Sequence, residues 1–253
     1  MNDLLTPVQR DVRVRDVEYS HDGTLMIGAL VATPGTRRAP GVLLVHDAFG
    51  LGDDMLARAR RLAALGHPVF CADVWGERTQ PRTEPEIGPL IGAMVTDRAR
   101  WIARMTAAHK AAAAQPELHG EHLVALGYCF GGSSALEYLR SGARLVGAVG
   151  IHAGLDLLDP RAGWDAAHPG VSVLLCTGAD DPMATPAQRE ALQAALTSAG
   201  IDWETDVYSG TVHAFTSPRA ANSQRPDVTA HHPRSAARAW DATTRFLRDT
   251  LPA

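Results

Sequence analysis

The chain has only three cysteines in 253 residues, Cys71, Cys129 and Cys176. Their spacing matches no disulfide framework, so a stapled extracellular scaffold is excluded. The first residues, Met1 to Pro7, lack both the basic and the apolar stretch of a leader, and the expected location is the reducing cytoplasm. No apolar run approaches the ~20 residues of a membrane span. Basic residues are not in excess, with 24 Lys and Arg against 28 Asp and Glu and a net charge of -4. Nucleic acid, which needs a clustered basic face, is therefore not an expected partner. The His231-His232 pair has no H-E-x-x-H spacing, so neither a metal nor another cofactor is called for. No repeat and no shift of composition divides the chain, and residues 1–253 are expected to form one domain.

What is present suits a packed globular core: 45% hydrophobic and 21% charged residues. Residues 12–18 and 25–32 read as strands, and the Asp22-Gly23 pair between them is a hairpin turn signal. From Val42 onward, short apolar runs alternate with helix-compatible runs. The runs at 42–45, 69–72, 123–127, 145–151 and 171–177 read as strands buried on both faces, and 203–208 alternates as a strand. Residues 53–65, 96–114, 133–140, 186–199 and 235–251 read as helices, with Gly66 placed to end the first. The segment at about 75–95 carries Pro81, Pro85 and Pro89 and shows no period. It reads as a lid-like loop over the sheet edge, with room for a short helix. The alternation predicts a mostly parallel sheet with helices on both faces, and ligands at the carboxyl ends of its strands.

One of those ends is Leu126-Gly127-Tyr128-Cys129-Phe130-Gly131-Gly132. It has the nucleophile-elbow pattern, with a thiol where serine usually stands. A strand that turns at once into a helix strains the corner residue and needs small neighbours. The corner is also a helix N-terminus, which favours a thiolate. The strand at 171–177 is followed by Gly178-Ala179-Asp180-Asp181-Pro182, and the strand at 203–208 by Ser209-Gly210-Thr211-Val212-His213. Nucleophile, acid and histidine thus occur in the order of the α/β-hydrolase fold, each in a loop after a strand. A thiol must lose a proton to attack an acyl carbon, imidazole can take and return it, and a carboxylate steadies the imidazolium. Asp181 is preferred to Asp180 because Asp-Pro after Gly-x-Asp recurs in the acid loop of this fold. In that fold the loop after the strand at 42–45 and the residue after the nucleophile supply oxyanion-hole N–H groups, here Ala48 and Phe130.

These segments, with Tyr19 to Gly23, His46 to Leu51 and Ala72-Asp73-Val74-Trp75-Gly76, resemble the dienelactone hydrolase family. The resemblance implies an α/β-hydrolase fold and a carboxylic-ester or lactone hydrolase that works through a thioester acyl-enzyme. It implies Cys129, Asp181 and His213 as the triad, and a role for Asp47. The family's best-studied members carry a glutamate there, which holds the resting thiol protonated and helps deprotonate it. Those members also place an arginine four positions after the catalytic histidine, where this chain has Ser217; Arg219, Arg78 and Arg82 are the alternatives. Trp75, Tyr128 and His152 follow strand ends and, with Ser217, are candidates for the substrate pocket, while Cys71 and Cys176 read as core. The expected partner is a small ester or lactone, and the expected form is a monomer or small homo-oligomer. The competing reading is a catalytically silent or thiol-sensing binding domain on the same scaffold.

Overall fold

The computed structural model describes residues 11–252. Eight strands form one sheet: β1 (Arg13–His21), β2 (Thr24–Ala32), β3 (Ala39–Val45), β4 (Val69–Ala72), β5 (Leu118–Tyr128), β6 (Gly147–Ile151), β7 (Ser172–Gly178) and β8 (Asp202–Tyr208). Their spatial order is β1-β2-β4-β3-β5-β6-β7-β8. The last six in that order are parallel, and the β1-β2 hairpin is added antiparallel at one edge. This is the mostly parallel sheet that the alternation predicts, of the α/β-hydrolase type that the resemblance implies.

Alternate residues of each central strand face opposite sides, because the side-chain period of a strand is two. Leu43, Val45, Leu123 and Ala125 lie in one apolar core with α3 (Arg98–Ala113), α4 (Phe130–Arg140) and α5 (Pro186–Ser198). Val42, Leu44, Val124 and Leu126 lie in the other with α1 (Asp53–Ala64) and α6 (Pro233–Thr250). Continuous apolar runs are what a strand covered on both faces requires.

The hairpin closes on Asp22 and Gly23, both at positive φ (47° and 74°), as a two-residue turn between right-twisted strands demands. It is pinned to the next loop by Asp73, whose carboxylate accepts from the N–H groups of Ile27 (2.9 Å), Gly76 (2.9 Å) and Arg78 (2.8 Å). Tyr19 Oη donates to the Asp73 carbonyl at 2.9 Å and accepts from the Asp73 N–H at 3.0 Å. Two of the segments that carry the family resemblance, around Tyr19 and Asp73, are therefore fastened to each other.

One expectation needs correction. The segment at about 75–95 is no irregular lid for most of its length: it holds a 13-residue helix, α2 (Glu84–Thr96). Pro85 stands in the first turn, where the missing N–H would have had no intrahelical partner anyway. Pro89 removes one further bond without ending the helix. Asp97 then closes α2 and opens α3, its side chain accepting from the Arg100 N–H at 3.0 Å. The second helix thus begins after the residue at 96, not with it.

Candidate active site

The carboxyl ends of the parallel strands lie side by side. Val45 pairs with Gly127, Tyr128 with Ile151, Ile151 with Cys176, and Gly178 with Tyr208. Every loop singled out by the sequence therefore opens on the same rim.

Cys129 is the corner between β5 and α4, at φ 54° and ψ -120°. A non-glycine residue is strained there and is held only by its surroundings. The glycines beside it are needed for space. A Cβ on Gly131 would stand 2.3 Å from the Val45 carbonyl oxygen and 2.5 Å from that of His46. One on Gly127 would come within 2.0 Å of the Gly131 carbonyl group. All of these obstacles are backbone. Gly131→Ala is therefore expected to cost about 3 kcal/mol of stability, read as a lower urea midpoint; an unchanged midpoint would contradict the close passage.

The three side chains expected to meet do so. His213 Nε2 lies 3.2 Å from Cys129 Sγ, and His213 Nδ1 lies 2.9 Å from Asp181 Oδ2. Both His213 and Asp181 are only 2% exposed. Asp181 Oδ1 accepts from the Met183 N–H at 2.8 Å, which orients the carboxylate. The His213 backbone is clamped by Val228 and Ala230, at 3.0 and 3.2 Å. Burial opposes a charge on His213, but the Cys129 sulfur and the Asp181 hydrogen bond outweigh it and raise its pKa to about 10.

Across from the sulfur's loop, His46 leads into the turn at Asp47. His46 Nε2 accepts from the Val74 N–H (3.0 Å), so its proton is on Nδ1, which donates to the Asp47 carbonyl (2.7 Å). Asp47 Oδ1 accepts from the Phe49 N–H at 2.8 Å, an Asx turn about Ala48. Among the described residues no hydrogen bond joins Asp47 to Cys129. The Ala48 and Phe130 amides, the expected oxyanion donors, donate to no protein acceptor among the described residues. For Phe130 this follows from its place as the first residue of α4.

The four candidate pocket residues separate. Trp75 is packed on Phe130, ring centroids 4.4 Å apart, and its Nε1–H donates to the Ala48 carbonyl at 3.3 Å. Tyr128 is buried under Arg58, 4.1 Å from its ring, beside a cavity of about 280 Å³ between α1 and α6. His152 is buried with both nitrogens bonded to protein: the Cys129 N–H donates to Nδ1 (3.1 Å), and Nε2 lies 2.9 Å from Thr216 Oγ1. Ser217 is buried too, its N–H donating to Ala214, and it leads into a short 3-10 turn. Arg78 is bound to Asp16 at 2.5 Å, and Arg219 stacks over Phe49 at 4.3 Å. Cys71 and Cys176 are buried, and burial pushes both thiols up to about 12. Sequence reading missed the roles of His46, Arg58, Asp73 and Thr216: the first three bond to distant backbone and Thr216 to the His152 ring, contacts that no local pattern records.

The buried rings set an acid limit. Burial lowers the pKa of His46, and burial with the neighbouring His213 and Arg58 lowers that of His152. Unfolded imidazoles bind protons near pH 6.5 while these stay neutral. Stability contributed by the neutral rings is present above that pH and falls as pH drops below it, by up to about 1.4 kcal/mol per pH unit for each. Urea midpoints at pH 7 and pH 5 test this, and equal values would contradict it.

Among the described residues no helix is long and apolar enough to cross a membrane, and no group of three or more His, Cys, Asp or Glu side chains is placed to hold a metal. The model of the dienelactone hydrolase family matches residues 27–251. A dienelactone hydrolase-like promiscuous phosphotriesterase from metagenomic libraries is 35% identical, with TM-score 0.88, over 95% of this chain and 99% of that one. A protein described as m3DLH is 32% identical, with the same TM-score and coverage. A dienelactone hydrolase-like structure from Klebsiella pneumoniae, at 20% identity and TM-score 0.76 over 94% of this chain and 98% of that one, shares the fold. No curated protein matches the chain. A match across nine-tenths of the described residues, on a sheet of the same type, shows that the chain belongs to the dienelactone hydrolase family and is a hydrolase.

Proposed function

We propose that this protein hydrolyses small carboxylic esters or lactones with Cys129 as nucleophile, His213 as general base and acid, and Asp181 as the group that orients His213. The observation that carries the reading is the unbroken line from Asp181 through His213 to Cys129, at 2.9 and 3.2 Å, beside two undonated amides. His213 takes the thiol proton, and the thiolate attacks the acyl carbon. The oxyanion that forms accepts from the Ala48 and Phe130 N–H groups, a type of contact worth about 3–4 kcal/mol per donor. Its collapse expels the alkoxide, which takes the proton from His213, and leaves a thioester. His213 then deprotonates a water, which attacks the thioester. The acid departs and the thiolate leaves as the sulfur leaving group, ready to share the proton on His213. Asp181 accepts the Nδ1–H throughout and stabilises the imidazolium.

Asp47 has a different part in this scheme from the glutamate of the family's best-studied members. One oxygen of its carboxylate, Oδ1, accepts from the Phe49 N–H, which shapes the turn that presents Ala48. Burial also pushes its pKa up. The substrate proposed is a neutral ester or lactone, with Arg219, stacked over Phe49 near Asp47, as an arginine left to meet a carboxylate. Ser217 offers no charge where those members carry arginine, Arg78 is tied to Asp16, and Asp156 lies within electrostatic reach of His213. Hydrolysis of p-nitrophenyl acetate, simple lactones and dienelactone, with Cys129→Ala as the control, tests the reading; no Cys129-dependent turnover across the panel would refute it. Ser217→Arg is expected to raise kcat/KM for dienelactone, relative to a neutral lactone, about 10-fold through a charge-assisted contact. An unchanged ratio would remove Ser217 from the specificity argument.

A second reading, phosphotriester hydrolysis, is supported by the 35% identical relative described as a promiscuous phosphotriesterase. Attack of the same thiolate on phosphorus would break the P–O bond to the leaving alkoxide or aryloxide, which takes the proton from His213, and leave an S-phosphoryl enzyme for water to hydrolyse. Paraoxon turnover lost in Cys129→Ala separates it from background hydrolysis.

A further inference from the structure

A second buried imidazole touches the nucleophile, and the chemistry above leaves it idle. His152 follows β6, is 2% exposed, and has φ 39°, a strained value for a residue with a side chain. The Cys129 N–H continues the sheet by donating to Ile151 O at 3.0 Å, and it also donates to His152 Nδ1 at 3.1 Å. A nitrogen that accepts carries no proton, so the ring proton is on Nε2. Nε2 then donates to Thr216 Oγ1 at 2.9 Å. Thr216 lies three residues after His213, and its carbonyl accepts from Arg58 Nη2 at 3.0 Å. The His152 ring meets those of His213 and Phe215 edge to face, with centroids 5.2 Å apart in both cases.

We infer that His152 is a positioning residue: it braces the Cys129 main chain against the Thr216 side chain, and so fixes the sulfur at its distance from the His213 imidazole. The brace crosses from the elbow loop to the histidine loop, which are 84 residues apart in the chain. On its far side the His213 strand end is already held by Val228 and Ala230. Without His152 the near side has no polar tie to the nucleophile's backbone. The elbow would then lose one of the two acceptors that hold its strained amide. Substrate contact is not available to this ring, because both nitrogens are used and the ring is covered. The ring also works only while neutral. A proton on Nδ1 would take away the Cys129 acceptor and set a like charge beside the His213 imidazolium.

The inference rests on the Cys129–His213 reading, and it is tested with a measurement that needs no substrate turnover. His152→Phe keeps the ring and its volume but removes both bonds. Thr216→Val keeps the shape at the other end and removes the hydroxyl. Each is expected to lower kcat for p-nitrophenyl acetate by about 10- to 100-fold, the usual effect of a reacting group displaced by about 1 Å. KM is expected to stay within about 2-fold, because the ground-state contacts are untouched. Each is also expected to move the pH of half-maximal iodoacetamide alkylation at Cys129 upward by about 1 unit, as the sulfur and imidazole separate. The ionisable neighbours of that pair are His152, Asp181 and Asp156; His152→Phe alters only the first, and Thr216→Val alters none. The double variant is expected to match His152→Phe alone, since both changes cut one link.

A role in packing alone would lower the melting temperature of His152→Phe and leave the alkylation profile and kcat of Thr216→Val at wild-type values; that result, or additive losses in the double variant, would overturn the brace. If the wild-type protein shows no Cys129-dependent ester turnover, the functional reading fails. The alkylation profiles then still decide the brace on their own.

Discussion

Cys129→Ala is expected to lower kcat/KM for an activated ester by about 10⁴-fold or more, to a residue of activity left by binding and the oxyanion donors. The size follows from the chemistry: alanine has no lone pair to attack, and His213 alone has nothing to deprotonate except water. The fold should survive. The Cys129 side chain is half-buried and makes one hydrogen bond, to His213, so the loss of a sulfur costs little packing. Equal urea midpoints with lost turnover would assign the effect to chemistry. Retention of more than about a tenth of wild-type activity would exclude the thiol as nucleophile. Cys129→Ser separates nucleophile identity from geometry. A hydroxyl at the same corner keeps the shape but gives up its proton far less readily, so it too is expected to be nearly inactive here.

His213→Gln is expected to lower kcat about 10³-fold or more, with a smaller change in KM. Glutamine spans a similar length and can still meet the acid loop, but it cannot carry a proton between sulfur and leaving group. The pH behaviour gives the sign. The wild-type imidazole, raised to about 10 by the Cys129 sulfur and Asp181 against burial, is a strong enough base to take the thiol proton in the neutral range. Alkylation by iodoacetamide at pH 6 should therefore be much faster in the wild-type protein than in His213→Gln. The two should converge only in alkaline solution, where a thiolate forms without help. Equal rates at pH 6 would show that the histidine does not pair with the sulfur.

Parts of the site were legible because they are local. The glycines at 127, 131 and 132 announce a corner, and the reason is visible in the fold: each lacks a Cβ where another backbone passes. The acid and histidine loops announce themselves by following apolar strands, since a parallel sheet brings every strand end to one rim. The hairpin was legible from Asp22-Gly23, a pair suited to two positive φ values in succession. Helix α2 was obscured by its prolines: Pro85 is tolerated in the first turn, and the interior Pro89 removes a backbone bond without ending the helix. Its apolar stripe, Ile87, Leu90, Ile91, Met94 and Val95, is nonetheless in the sequence, and the last four pack on the core.

The sequence by itself determined the alternation of strands and helices, the strained corner at Cys129 and the chain order of thiol, carboxylate and imidazole, because backbone conformation and side-chain period are set within a few residues. Tertiary structure alone decided what each polar group faces. It placed His152 under the Cys129 backbone instead of in an open pocket, and fastened the hairpin through Asp73. Such contacts join residues tens of positions apart and depend on angles and distances of a few tenths of an ångström, which no composition or spacing encodes.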